Sequence, residues 1–202
     1  MVSPLPNTSK INDIKMKILA FAGTSNKNSI NKTFVTSISK YYKEADDTIE
    51  LLDLNHFEMP IYSYDKEVEL GIPQLAHDFA AKMDAADFLL ISLAEHNGSY
   101  TTAYKNIVDW VSRIPNRKLF NGKPVFLLAT APGPMGGATV LNTAVNRITW
   151  DGAEILDSFS LPEFHKNFEE GKGIIDPTLR SQLEAKVRKT KRALAEKFSV
   201  QG

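Results

Sequence analysis

The chain has no cysteine. Disulfides, thiol nucleophiles and cysteine-held metals are excluded together. It also lacks an excess of either charge, with 24 Lys and Arg against 24 Asp and Glu. Nothing in that balance points to nucleic acid, or to the strongly acidic surface of a protein that docks onto basic redox partners. No apolar run approaches the ~20 residues that would span a bilayer, so no membrane partner is expected. Residues 1–15 are polar, carry Pro4 and Pro6, and have no apolar core of the kind a signal peptide needs. We expect a flexible leader over 1–15 and a cytoplasmic protein. His56, His77 and His165 are scattered without a spacing such as His-Glu-x-x-His, so they read as structural and no metal is expected. Paired carboxylates for hydrolysis are not apparent. There is no linker, internal repeat or break in composition, and 202 residues with 43% apolar content suit one domain over 16–202.

What is present is alternation. Residues 16–22 (Met-Lys-Ile-Leu-Ala-Phe-Ala) form a nearly continuous apolar run, as buried parallel strands do. Ile30, Phe34, Ile38 and Tyr41 then recur with helical period. A second strand is expected over 48–54, a loop with two tyrosines over 56–65, and a helix over about 73–85. The third strand, 87–92, leads through a polar loop into a helix marked by Tyr104, Ile107, Val108, Val111 and Ile114. A fourth strand is expected over 124–130, a helix with Val140, Leu141, Ala144, Val145 and Ile148 on one face, and a short fifth strand near 153–156. A helix over 176–198 closes the chain. Its Arg180, Lys186, Arg188, Lys189, Lys191, Arg192 and Lys197 suggest a phosphate-binding face. However, Leu179, Leu183, Val187, Leu194 and Phe198 trace an apolar stripe, and the cations read as its solvated side. Five strand–helix alternations with short connections predict an α/β protein, a parallel sheet with helices on both faces.

Three strand ends carry the polar residues. After the first strand comes Gly23-Thr24-Ser25-Asn26-Lys27-Asn28-Ser29-Ile30-Asn31. Unpaired N–H groups at a helix start, with hydroxyls and amides beside them, make an anion site; Ser29 also suits a plain helix N-cap. It is neither a Gly-x-Gly-x-x-Gly fingerprint nor a P-loop, which needs Gly-Lys-Ser/Thr. After the third strand, Glu95, His96, Asn97 and Ser99 crowd a loop in which Gly98 lets the backbone come close to a ligand. After the fourth, Pro132-Gly133-Pro134-Met135-Gly136-Gly137 offers a glycine-rich floor whose shape the prolines fix. Ligands of open α/β sheets bind at the carboxyl ends of strands. An anion pocket beside a slot for a flat ring suits a mononucleotide such as FMN.

With those residues in place the chain resembles the NADPH-dependent FMN reductases of flavodoxin-like fold, a group with quinone, chromate and azo-dye reductases among its members. The family's G-S-x-R-x-x-S-x-N loop corresponds to 23–31. Its P-E-Y-N-x-S motif followed by K-N-x-x-D-W corresponds to 94–99 followed by Lys105-Asn106-Ile107-Val108-Asp109-Trp110, and its Pro-Gly-x-x-Gly-Gly loop to 132–137. The resemblance covers about 16–156. It implies a three-layer sandwich around a five-stranded parallel sheet in the order 2-1-3-4-5. It further implies FMN as cofactor, NADPH or NADH as co-substrate, and a small acceptor such as free flavin or a quinone. Thr24, Asn26, Ser29, Ile30 and Asn31 would hold the phosphate. Glu95, His96, Asn97, Gly98 and Ser99 would line the isoalloxazine and ribityl chain, and Pro132, Gly133 and Gly136 would cover the ring's other edge. A homodimer or homotetramer is implied, with the loop at 56–65 near the active site across the interface.

The chain departs from the family at four points. Asn26 stands for the phosphate-loop arginine, removing a bidentate charged contact. Ala94 replaces the proline, His96 the tyrosine, and Ala138 an arginine placed to help hold NADPH phosphate. NADPH against NADH therefore stays open. Hydride passing through a flavin needs no protein base, so no catalytic side chain is assigned. His96 beside the ring invites a role as proton donor, but reads better as a contact. Two other readings remain: a flavodoxin-type electron carrier, and a flavin-free interaction module.

Overall fold

Ile18 to Ala22 are buried at every position, and Leu89 to Leu93 likewise, because these strands have helices on both sides. The computed structural model describes residues 15–199; the expected leader, Lys15 apart, lies outside them. Its elements run β1 (Lys17–Gly23), α1 (Ile30–Ser39), β2 (Thr48–Leu52), a 3-10 turn (Leu54–Phe57), α2 (Tyr64–Leu70), α3 (Gln74–Ala85) and β3 (Phe88–Leu93). They continue with β4 (Glu95–His96), β5 (Ser99–Tyr100), α4 (Thr102–Val111), β6 (Pro124–Thr130), α5 (Ala138–Trp150) and β7 (Glu154–Leu161). The chain closes with α6 (Phe164–Asn167), β8 (Phe168–Glu169), β9 (Gly173–Ile174) and α7 (Pro177–Ser199).

The main sheet is ordered β2-β1-β3-β6-β7, with every pair parallel. Counting only its strands, that is the order 2-1-3-4-5, and the fold is the expected flavodoxin-like sandwich. Alternate strand residues divide the core in two. Leu19, Phe21, Leu89, Ile91, Val125 and Leu127 face α3, α4 and α5, where Phe79, Trp110 and Val140 are fully buried. Ile18, Ala20, Phe88, Leu90, Phe126 and Leu128 face α1 and α7, where Phe34, Ile38, Leu183 and Leu194 close the other side.

Several boundaries differ from expectation. The second strand stops at Leu52 because Asp53 caps the 3-10 turn, accepting from the Asn55 N–H at 3.0 Å. The fifth strand runs to Leu161 instead of about 156. As an edge strand, half exposed with Asp157, Ser158 and Ser160 inside it, it gives no buried-strand signal. The 56–65 loop also carries part of the turn and the start of α2, a helix with no buried residue.

The cations of α7 reach acidic groups on neighbouring elements. Lys186 and Lys189 meet Asp157 at 2.6 and 2.9 Å, Lys191 meets Glu44 and Lys197 meets Glu154. Burial pushes the Asp157 carboxyl up, but the two ammonium groups and the Ser158 N–H outweigh it and hold it below the usual carboxylate range. The cationic side of α7 is thus partly tied to the sheet edge. No helix of the described residues is long and apolar enough to cross a membrane.

Candidate active site

The carboxyl ends of β1, β3 and β6 are adjacent in the sheet, which brings 24–29, 94–100 and 131–137 to one edge. The first loop is a chain of small turns. Thr24 Oγ1 accepts from the Asn26 N–H at 3.2 Å, Asn26 Oδ1 from the Asn28 N–H at 2.9 Å, and Ser29 Oγ from the Asn31 N–H at 3.2 Å. Ser29 is the N-cap of α1, whose first turn holds no acid. Among the described residues, the N–H groups of Ser25 and Lys27 have no hydrogen-bond acceptor. Asp53, near the end of β2, is neutralised by Lys32. The hydrogen bond from that ammonium, opposed by partial burial and aided by Asn55, pulls the carboxyl down to about 2. A phosphate here would meet free amides, the hydroxyls of Thr24 and Ser25 and the positive end of α1, with the Asp53 carboxylate paired to Lys32. The donor set fits a flavin mononucleotide's phosphate.

Asn31 sits differently from its neighbours. Its side chain is buried at 3% exposure. Its Oδ1 accepts from Ser92 Oγ at 2.7 Å and from the Thr130 N–H at 3.1 Å, and its Nδ2 donates to the Thr130 carbonyl at 3.0 Å. The amide joins α1 to the ends of β3 and β6. Asn31 supports the loop from behind, and Ile30 beside it packs against the α1–α7 side of the core.

The second loop is a hairpin, β4 paired with β5 through Glu95↔Tyr100 and His96↔Ser99. Asn97 and Gly98 turn it with φ of 52° and 75°, the primed turn that an Asn-Gly pair favours. His96, Asn97, Gly98 and Ser99 are exposed along its tip, and a Cβ at Gly98 would lie 3.8 Å from Thr139 on α5. Glu95 points inward, where its Oε2 accepts from the Val140 N–H at 2.9 Å. It binds the second loop to the helix that follows the third. Thr101, the N-cap of α4, donates to the Gly23 carbonyl at 2.8 Å and so ties the second loop to the first.

In the third loop Pro132 is exposed and Gly133 partly so; the Gly133 carbonyl accepts from Gly136 and Glu163 N–H groups at 3.2 and 3.0 Å. Gly136 has φ of 57°, and a Cβ there would stand 2.8 Å from the backbone of Leu161. Its lack of a side chain serves the packing of the loop against β7.

The second half of the long motif divides into two pairs. Lys105 and Asp109 form an exposed i,i+4 ion pair at 2.6 Å. Asn106 and Trp110 reach away from it to hydrogen-bond residues 59–62. Sequence reasoning missed Ser92, Thr101 and Thr130 as members of the site. The signal for two of them was present, a polar residue near the carboxyl end of an otherwise apolar strand. Among the described residues no group of histidine, aspartate and glutamate is placed to hold a metal. A cavity of about 470 Å³ lies apart from all three loops, between the outer face of α1 and the β8–β9 hairpin, and no expected cofactor residue lines it.

The sequence profile of the family described as NADPH-dependent FMN reductase matches residues 16–166. Among curated relatives, a quinone reductase of Escherichia coli is 29% identical over 124 residues, 61% of this chain and 64% of its own length. An NAD(P)H-dependent FMN reductase of Pseudomonas aeruginosa is 37% identical over 91 residues, 45% of this chain and 47% of its own length. The match to each thus spans less than two thirds of that relative. Among solved structures, the flavoenzyme NAD(P)H:(acceptor) oxidoreductase FerB from Paracoccus denitrificans superposes with a TM-score of 0.68 at 22% identity, covering 88% of this chain and 98% of that one. By the profile match across most of its length, the chain belongs to the NADPH-dependent FMN reductase family.

Proposed function

We propose that the chain is an NAD(P)H-dependent flavoprotein oxidoreductase that holds FMN at the edge formed by its three loops. The acceptor is a small electrophile, a quinone or free flavin, in keeping with the names of its relatives. Bound FMN supplies hydride transfer from nicotinamide to acceptor. The observation that carries the reading is the cross-bracing of the loops by Asn31, Thr101 and Glu95, because it holds an anion site and an exposed hairpin in fixed relation.

Each residue then has a part. The amides of Ser25 and Lys27, with Thr24, Ser29 and the side-chain NH2 of Asn26, hold the phosphate. His96, Asn97, Gly98 and Ser99 line the ring and ribityl chain from the hairpin. Pro132 and Gly133 border the ring's other edge, with Gly136 keeping that loop against β7. Asn31 and Glu95 act by fixing the loops, and Ile30 by anchoring the start of α1. The chain works as a homodimer or homotetramer in the cytoplasm, where its reduced nicotinamide is available. Family membership favours this over a carrier or a flavin-free module. Steady-state oxidation of NADPH and NADH with a quinone tests it. Parallel double-reciprocal lines are expected, and intersecting lines, or no turnover with FMN-loaded protein, contradict it.

A further inference from the structure

Helix α1 turns Phe34, Val35 and Ile38 into the core, which leaves Thr33, Thr36, Ser37 and Lys40 at i, i+3, i+4 and i+7 on its outer side. All but the lysine are short, and the recess they leave beside the β8–β9 hairpin has a volume of about 470 Å³. The hairpin keeps it open. Its turn is closed by the Lys172 N–H, which donates to the Glu169 carbonyl at 3.1 Å, and Gly171 and Gly173 stand at φ of 84° and 80°. A Cβ on Gly173 would lie 3.8 Å from Ser37 Oγ and 4.0 Å from the Tyr41 hydroxyl, so nothing at that position covers those two hydroxyls.

The lining carries donors that the fold does not use. The hydroxyls of Thr36, Ser37 and Tyr41 have no hydrogen-bond partner among the described residues, and that of Thr33 has only a long contact of 3.5 Å to the Ser29 carbonyl. Lys32, Lys40 and Lys172 line the recess against one acid, Glu170. Asp53 holds Lys32 and Glu169 holds Lys172, whereas Lys40 has no acidic partner among the described residues. Phe168 and Tyr41 add aromatic surface. Ammonium groups donate and never accept, so a lining of this kind calls for an oxygen-rich anion, and its aromatic part for a ring. Small-ligand pockets run from about 300 to 1,000 Å³, and the recess falls within that range.

We propose that this recess is a second ligand site, taking a flat organic anion: an aromatic ring that bears a phosphate or a carboxylate. The oxyanion lies by Lys40 and the hydroxyls of α1, and the ring lies against Phe168 and Tyr41. None of these residues is among those assigned to FMN, so the two ligands bind together and not in turn. Glu170 opposes the anion, and its charge lowers the affinity.

The test titrates the full chain, saturated with FMN, with 1-naphthyl phosphate and with 1-naphthoate in a calorimeter. About one molecule per chain of at least one probe is expected to bind, with 1-naphthol and inorganic phosphate at least about tenfold weaker. The stronger probe tells which oxyanion the site takes. Ser37→Leu fills the recess with a better helix former, and Lys40→Gln removes the charge at nearly constant length. Each is expected to weaken binding at least about fivefold while FMN content and melting temperature hold. Glu170→Gln is expected to leave the affinity equal or higher. No heat from either probe at about 1 mM overturns the proposal. So does competition with FMN, equal binding of 1-naphthol, or an affinity unmoved by Ser37→Leu or by Lys40→Gln. Weaker binding to Glu170→Gln also overturns it, since the ligand then offers that carboxylate a cation or a donor. The site does not rest on the flavoenzyme reading: should the chain take up no FMN, the same titrations of the flavin-free chain are decided by these variants.

Discussion

Asn31 and Ser92, 61 positions apart, share a 2.7 Å hydrogen bond between two buried side chains, and the same Asn31 amide closes both backbone groups of Thr130. One side chain therefore sets where three loops stand relative to one another. Buried polar groups left without partners cost free energy, so the arrangement is demanding as well as rigid.

Asn31→Ala removes that junction and leaves Ser92 and the backbone of Thr130 unsatisfied. It is expected to lower unfolding free energy by about 2–4 kcal/mol in urea titration, and to weaken FMN binding because the loops lose their common anchor. An effect below about 0.5 kcal/mol, the range of ordinary surface substitutions, would mean the junction is not the brace.

Ser29→Asp separates capping from anion binding. Aspartate is as good an N-cap as serine, so the melting temperature should hold or rise. A carboxylate at the α1 terminus would repel a phosphate dianion, and FMN affinity should fall by at least about tenfold, read by fluorescence quenching. Retained affinity would place the phosphate elsewhere.

Two glycines of the third loop should respond oppositely. Gly136→Ala forces a side chain into positive φ and against the Leu161 backbone, and should cost about 1–3 kcal/mol. At Gly133 an added Cβ meets nothing within 4 Å, so Gly133→Ala should leave the melting temperature nearly unchanged. Equal effects in thermal denaturation would contradict the packing described for Gly136.

The ion pairs set an acid limit. Asp53 and Asp157 both have folded-state carboxyls below their unfolded values, near 3.9 for aspartate. Their contribution is fully present above about pH 4 and is lost as pH falls through the folded values, about 2 for Asp53. Melting temperature should drop between about pH 4 and pH 2, and less steeply in Asp157→Asn. That substitution should itself cost about 1–2 kcal/mol at neutral pH by releasing α7 from β7. An unaltered slope would remove Asp157 from the account.

The sheet was legible because β1, β3 and β6 are apolar at nearly every position, a pattern that few structures besides a covered parallel sheet produce. The capped turn at 23–31 ahead of α1 was legible because capping at a helix start depends on little beyond local sequence. The roles of Asn31, Glu95 and Asn106 were not, since each is decided by a partner 45 to 99 positions away or, for Asn106, 44 to 47. The far half of edge strand β7 and the exposed helix α2 escaped for a related reason: with one face in water, neither carries the buried pattern by which elements are recognised.

The visible spectrum of the FMN-reconstituted full chain, recorded anaerobically before and after adding NADPH and then NADH, tests the proposed flavoenzyme most directly. An oxidised flavin spectrum that bleaches with either nucleotide, with about one FMN per chain released on heating, is the predicted result. Protein that takes up no flavin, or flavin that stays oxidised with both nucleotides, would contradict it.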